Sequence, residues 1–128
     1  MNNFLYILFF IISMFVLMHV WVRLSTYLKK GKKIENIGGS LGKEIGKSGK
    51  HVVYFYSNSC GACKPMSPVI DALKKEFKNI HKVNLSTDME AARKFGVMGT
   101  PSLVVLENQL ITLFLVGAKT ENFIRKLL

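Results

Sequence analysis

From Phe4 to Val22 the chain is apolar at every position except Ser13 and His19. About 19 residues at 1.5 Å rise cover roughly the 30 Å hydrocarbon thickness of a bilayer, so this run predicts one membrane-crossing helix. Tyr6 lies near one end, and Trp21 and Tyr27 near the other, where an aromatic belt meets the head groups. A cleavable secretory signal begins from a similar run. Here, however, Met1-Asn2-Asn3 carries no basic side chain, the run is too long for a signal core, and no small-x-small site follows. An uncleaved anchor over residues 1–28 is therefore expected. His19, near the end of the run, is expected to be neutral or interface-facing rather than functional.

The pattern breaks after Leu28. Gly31, Gly38, Gly39, Gly42, Gly46 and Gly49 alternate with lysines through residues 29–50, a composition expected of a tether. Within it Ile37, Leu41 and Ile45 recur every four residues and predict a weak helix against the domain, since each glycine costs about 1 kcal/mol relative to alanine in a helix.

Strand and helix signals then alternate through residues 51–128, as in a sheet with crossover helices. Val52 to Tyr56 reads as a strand buried on both faces. Ser57, Asn58 and Ser59 form a turn with capping side chains. Met66, Val69, Ile70, Leu73 and Phe77 make the apolar face of a helix whose other face carries Asp71, Lys74, Lys75 and Lys78. A second strand is predicted over Ile80 to Leu85. A short helix follows from Met89 to Phe95, opened by Ser86, Thr87 or Asp88 and closed by Gly96. Ser102 to Leu106 and Leu110 to Val116 form a hairpin across Glu107-Asn108-Gln109, and Thr120 caps a last helix carrying Phe123, Ile124 and Leu127. The order is βαβαββα.

Eighteen Lys and Arg stand against eight Asp and Glu, a formal net charge of +10, which fits either nucleic acid or an anionic membrane surface. Arg23, Lys29, Lys30, Lys32 and Lys33 crowd just after the apolar run, and Lys43, Lys47 and Lys50 continue without interleaved aromatics that would stack bases. No nucleic-acid partner is expected. A basic collar at the lipid bilayer is, because juxtamembrane cations gain about 1 kcal/mol each from anionic head groups.

The chemistry sits at the first strand-to-helix junction, Cys60-Gly61-Ala62-Cys63. These are the only two cysteines of the chain. With Cys60 at the helix N-terminus and Cys63 one turn in, both sulfurs lie on one side. The helix dipole and its unpaired N–H groups favour a thiolate at Cys60, and the deeper Cys63 is suited to resolve. Gly61 and Ala62 leave Cys60 open to a bulky protein disulfide. Zinc is the competing use of such a pair, with His51 and His81 as further ligands, but neither histidine has metal-ligand spacing, and no metal is expected. A structural disulfide over so short a loop would remove little unfolded-state entropy. An inactive relative that only binds partners is the third alternative.

On these residues the sequence resembles the thioredoxin family. Val52-Val53-Tyr54-Phe55-Tyr56, Cys60-Gly61-Ala62-Cys63-Lys64 and Pro68 match its first central strand and active-site helix. Lys82-Val83-Asn84-Leu85 looks like its second central strand, Gly96-Val97-Met98-Gly99-Thr100-Pro101-Ser102 like its G-V-x-x-x-P-T segment, and Val116-Gly117-Ala118 like the turn before its final helix. The resemblance covers about Val52 to Leu128. It implies a three-layer α/β fold around a central mixed sheet, and a cis peptide before Pro101 packed against the disulfide. It also implies that the Thr100 backbone pairs with an extended substrate segment, as exposed strand-end backbone can. Gly61, Ala62, Thr100 and Pro101 are the substrate-binding residues this implies, and Lys82 is a supporting residue. Further implications are protein disulfide substrates and an upstream electron donor, thioredoxin-reductase-like or a membrane reductant, with no bound cofactor required.

Departures bear on redox behaviour. Ser59 replaces the family's Trp, Ala62 replaces the Pro inside the motif, and Tyr54 stands at the family's buried acid. Pro65 removes a helix N–H next to the motif and reads as a local kink without a chemical role. The family's first strand has no counterpart in the pattern, so a short sheet is expected. Five basic side chains follow the span and none precedes it, so the positive-inside rule puts the domain in the cytoplasm, against the extracytoplasmic face that anchored family members often take. The expectation is a membrane-anchored thiol–disulfide oxidoreductase, a reductase by preference; the alternative is a non-catalytic binding or assembly module at the membrane.

Overall fold

The computed structural model describes residues 2–35, 37–46 and 48–128; Lys47 of the expected basic stretch lies outside the described residues. Helix α1, Asn2–Leu28, continues past the apolar run by more than a turn. Over Asn3–Ser25 its mean hydropathy is 2.4 and no residue of its apolar window is buried, so by length and composition it can cross a membrane.

Helix α2 spans Gly39–Ile45, and strand β1, Lys50–Tyr56, leads to α3, Cys63–Glu76. Then come β2 (Ile80–Asn84), α4 (Met89–Phe95), β3 (Ser102–Glu107), β4 (Leu110–Val116) and α5 (Glu121–Arg125). The sheet order is β2-β1-β3-β4, with β1 parallel to β2 and antiparallel to β3, and β3 antiparallel to β4. The sheet is mixed, and from β1 onward the element order is βαβαββα, as the pattern predicts.

Side chains alternate across a strand, so β1 feeds two cores. Val53 and Phe55 join Val104, Leu106, Ala91 and Phe95 on the α4 side, while Val52 and Tyr54 join Leu103, Val105, Ile70, Leu73 and Ile124 beneath α3 and α5. Helices on both faces of one sheet make the three layers. Arg125 locks α5 to the end of α3, donating to both carboxylate oxygens of Glu76 at 2.8 and 3.0 Å.

The Gly- and Lys-rich stretch is packed at several points. Ile34 and Ile45 are buried in the α4-side core, with Ile37 and Leu41 partly buried beside them. Gly31 N donates to Ile111 O at 2.7 Å, Ile111 N to Lys32 O at 3.0 Å and Ile34 N to Gln109 O at 2.9 Å, so this segment covers the free edge of β4. The same stretch holds the β3–β4 turn. Asn108 and Gln109 both adopt positive φ, 50° and 68°, as a two-residue hairpin of matching twist requires. Gln109 is a poor residue for that region, and it is tied down by its side-chain amide donating to Gly46 O at 3.1 Å, while Asn108 N donates to Gly49 O at 3.0 Å.

The basic collar is partly used inside the molecule. Lys29 Nζ donates to Gly96 O at 2.7 Å and stands over the Phe114 ring at 4.5 Å, and Lys32 Nζ donates to Lys94 O at 2.9 Å. Both lysines therefore meet carbonyls at the C-terminus of α4, the end that favours cations. Burial, and then the nearby Lys32 charge, push the Lys29 ammonium below its usual range.

Candidate active site

Strand β1 ends at Tyr56 and the chain turns through Ser57 to Ala62, with Cys60 N donating to Ser57 O at 3.2 Å. Cys60 and Cys63 are joined as a disulfide, their Cα atoms 5.3 Å apart. The helix expected from Cys60 begins at Cys63 instead, because residues 60–62 form a turn closed by Cys63 N–H on Cys60 O at 3.2 Å. Cys63 N also lies 3.2 Å from Cys60 Sγ, so this N–H of the first helical turn is shared between the carbonyl and the sulfur of Cys60 and favours negative charge on that sulfur. Cys63 is 2% exposed, whereas Cys60 is half-buried and Gly61 and Ala62 are exposed. One sulfur is reachable and the other is shielded.

Pro65 makes no kink by losing a helix bond, contrary to the expectation from sequence. It is the third residue of α3, where backbone N–H groups have no intrahelical acceptor, so it removes no helix bond. Pro68 lies inside the helix, where the resemblance places it.

Behind Cys63 the fully buried Tyr54 hydroxyl pairs with Ser67 Oγ at 3.1 Å and donates to Cys63 O at 3.5 Å. Burial, above all, raises the phenol pKa, so a neutral hydroxyl pair occupies this spot. Lys82 is Tyr54's neighbour in the β1–β2 register. Its Nζ donates to Asp71 Oδ1 at 2.7 Å and lies over the Tyr56 ring at 4.7 Å, and Tyr56 in turn stacks on Tyr54. Ser67 and Asp71 were not among the expected site residues. Their signal was present, because residues four apart on α3 share one face, and that face meets Tyr54 and Lys82.

Thr100 and Pro101 reach the same end of the sheet. Their peptide bond is cis, Pro101 is buried and Thr100 half-buried. Ser102 pairs with Phe55 on one side and Val116 on the other, Ser102 Oγ donates to Gly99 O at 2.7 Å, and Gly117 N donates to Pro101 O at 2.8 Å. The carboxyl end of β1, the amino end of β3 and the carboxyl end of β4 thus converge around the cysteine turn and the Gly96–Pro101 loop.

The histidines lie elsewhere. His51 Nδ1 and His81 Nε2 share a proton at 3.1 Å, and His81 Nδ1 meets Glu44 Oε2 at 2.7 Å. Burial pulls His81 below the ordinary histidine range despite the Glu44 charge. Among the described residues no group of three or more His, Cys, Asp or Glu is placed to hold a metal ion.

A sequence profile of the family described as thioredoxin matches residues 28–128. Thioredoxin 2 of Plasmodium berghei is 33% identical over 76 residues, which are 57% of this chain and 45% of that protein. Thioredoxin of Bacillus subtilis is also 33% identical over 76 residues, 57% of this chain and 73% of that protein. Among solved structures, a mutant thioredoxin from Halobacterium salinarum superposes with a TM-score of 0.61 at 22% identity, over 71% of this chain and 83% of the other, a likeness of fold.

Proposed function

The chain belongs to the thioredoxin family of thiol–disulfide oxidoreductases, and from that membership we propose that it is a membrane-anchored reductase of protein disulfides working through Cys60 and Cys63. One observation carries the assignment of roles: a helix-terminal N–H is aimed at the accessible Cys60 sulfur while Cys63 is shielded. The Cys60 thiolate attacks one sulfur of the substrate disulfide, and the other sulfur leaves as a thiolate. Cys63, losing its proton, then attacks Cys60 in the mixed disulfide and releases the second substrate thiolate. Two electrons have passed to the substrate, and the Cys60–Cys63 disulfide remains. An upstream donor, thioredoxin-reductase-like or a membrane reductant, must supply two further electrons to reduce that disulfide. Tyr54, paired with Ser67, puts a neutral hydroxyl where the family has an acid, and its contact with Cys63 is to the backbone carbonyl.

The test is reduction of insulin by the full chain in detergent with dithiothreitol as donor. Catalysed precipitation that disappears in Cys60→Ser is expected; no Cys60-dependent turnover would leave a binding module at the membrane.

The anchor and its orientation belong to the same proposal. The basic residues that follow α1 favour the cytoplasmic side, where thiol pools are kept reduced and a dithiol of this kind runs as a reductase. An alkaline-phosphatase fusion after Leu128 is expected to be inactive, and strong activity would place the domain outside the cytoplasm.

A further inference from the structure

We propose that the substrates are disulfides held at the bilayer surface, in membrane-embedded or membrane-attached proteins, because the fold turns its catalytic end toward the membrane. The inference rests on the membrane-anchored reductase reading given above and adds the class of substrate.

It comes from the direction in which α1 leaves the domain. The segment after α1 runs antiparallel to β4: Ile34 N bonds Gln109 O, Lys33 bridges Leu110, and Gly31 N bonds Ile111 O. Moving back along the chain from Ile34 therefore means moving forward along β4. The last turns of α1 continue in that sense, since Val22, Arg23 and Tyr27 line a groove with Leu113, Phe114, Leu115 and Val116. The apolar body of α1 upstream of Val22 consequently projects beyond Val116. That is the end of the sheet where β3 begins after Pro101 and β1 delivers the chain to Cys60. Val116 pairs with Ser102 and Ser102 with Phe55, two interstrand steps of about 4.8 Å each, so β1 opens toward the cysteines about 10 Å to the side of β4.

The joint is held from two sides. Besides the β4 bonds, Lys29 reaches the Gly96 carbonyl at 2.7 Å and Lys32 the Lys94 carbonyl at 2.9 Å, which tie the base of α1 to the C-terminus of α4. Gly96 opens the loop that ends in Pro101. Side chains at this end suit a head-group layer: Met98 is 81% and Val116 53% exposed, Arg23 lines the groove beside Val116, Lys119 Nζ donates to Val116 O at 3.2 Å, and Lys64 follows Cys63. Asn108 and Glu107 mark the opposite end. A cysteine pair in a loop at head-group level is thereby presented to Cys60, whereas a bulky soluble protein must fit between the domain and the bilayer.

Two measurements on the full chain in phosphatidylcholine–phosphatidylglycerol vesicles test this. In a Cys60→Ser, Cys63→Ser background, fluorophores are placed at Met98→Cys or Asn108→Cys and quenched by nitroxide-headgroup lipid. Several-fold stronger quenching at residue 98 is expected, and equal or reversed quenching overturns the orientation. With the unaltered cysteines, one disulfide peptide is tethered to lipid by a short linker or by a flexible linker of about 40 residues. Reduction at least tenfold faster on the short linker is expected, and equal or slower reduction overturns the substrate class. A small soluble disulfide serves as control. If it is not reduced, or if alkaline washing strips the protein from the vesicles, the underlying reading fails and this inference with it. If it is reduced by retained protein without a linker preference, only the present inference fails.

Discussion

Cells producing the Cys63→Ser chain are expected to accumulate high-mass adducts on a non-reducing gel that collapse on addition of reductant, while cells producing Cys60→Ser show none. The asymmetry follows from burial and hydrogen bonding. Cys60 is half-buried, and the Cys63 N–H stands 3.2 Å from its sulfur, so in the proposed reaction it is the sulfur suited to hold negative charge and meet the substrate. Serine at 63 keeps that N–H and that access but cannot attack the mixed disulfide, so the first step proceeds and the second stops. Serine at 60 removes the nucleophile, and the 2% exposed Cys63 is shielded from replacing it. Turnover is expected to fall by orders of magnitude in both variants, so it is the adducts that separate the roles. Adducts from Cys60→Ser instead would reverse them. Adducts and turnover absent from every form, the unaltered chain included, would point to a binding module.

How far the sequence revealed this site depends on whether the signal was local. Helix α4 was readable to the residue because both of its ends are written in the chain: Asp88 accepts from Ala91 N at 3.0 Å, and Gly96 takes a left-handed φ of 70°. The β1 run was readable from its continuous apolar, β-branched and aromatic residues, and the apolar face of α3 from its helical period. The start of α3 was not, since a four-residue turn and a first helical turn differ only in backbone angles at residues 60 to 62. The environment of Tyr54 depends on Ser67, thirteen residues away on another element, and a hydroxyl on a helix face carries no mark of its partner. The anchoring of residues 29–34 was hardest to see. Lysine beside an apolar span has a general use at head groups, yet Lys29 is hydrogen-bonded to a carbonyl 67 residues onward. The glycines disguise the packing as well, because a tether and a thin strap carrying buried Ile34 and Ile45 have nearly the same composition.

Replacing Phe95 by alanine is expected to cost about 3–5 kcal/mol of stability, the range for deleting a buried aromatic whose site cannot collapse. Phe95 is fully buried, its ring 5.1 Å from that of Phe55, and it belongs to the core that also holds Ile34 and Ile45. Small domains keep only about 5–15 kcal/mol in all, so the loss leaves the fold marginal. The effect also reaches the chemistry. Phe95 is the last residue of α4, Gly96 follows as its cap, and the loop from there to Pro101 is held to the α4 layer by this helix end, by the Val97 side chain packed on the same core, and by the Lys29 bond to Gly96 O. Phe55 stands one residue before the end of β1, opposite Ser102. A void between the two rings therefore loosens both approaches to the catalytic end. Guanidinium unfolding of the full chain in detergent should show the midpoint displaced, and insulin reduction in buffer well below that midpoint should already be slowed. Phe95→Leu, which refills most of the volume, should recover most of both. A midpoint shift with unchanged turnover would separate the α4 core from the positioning of the Gly96–Pro101 loop.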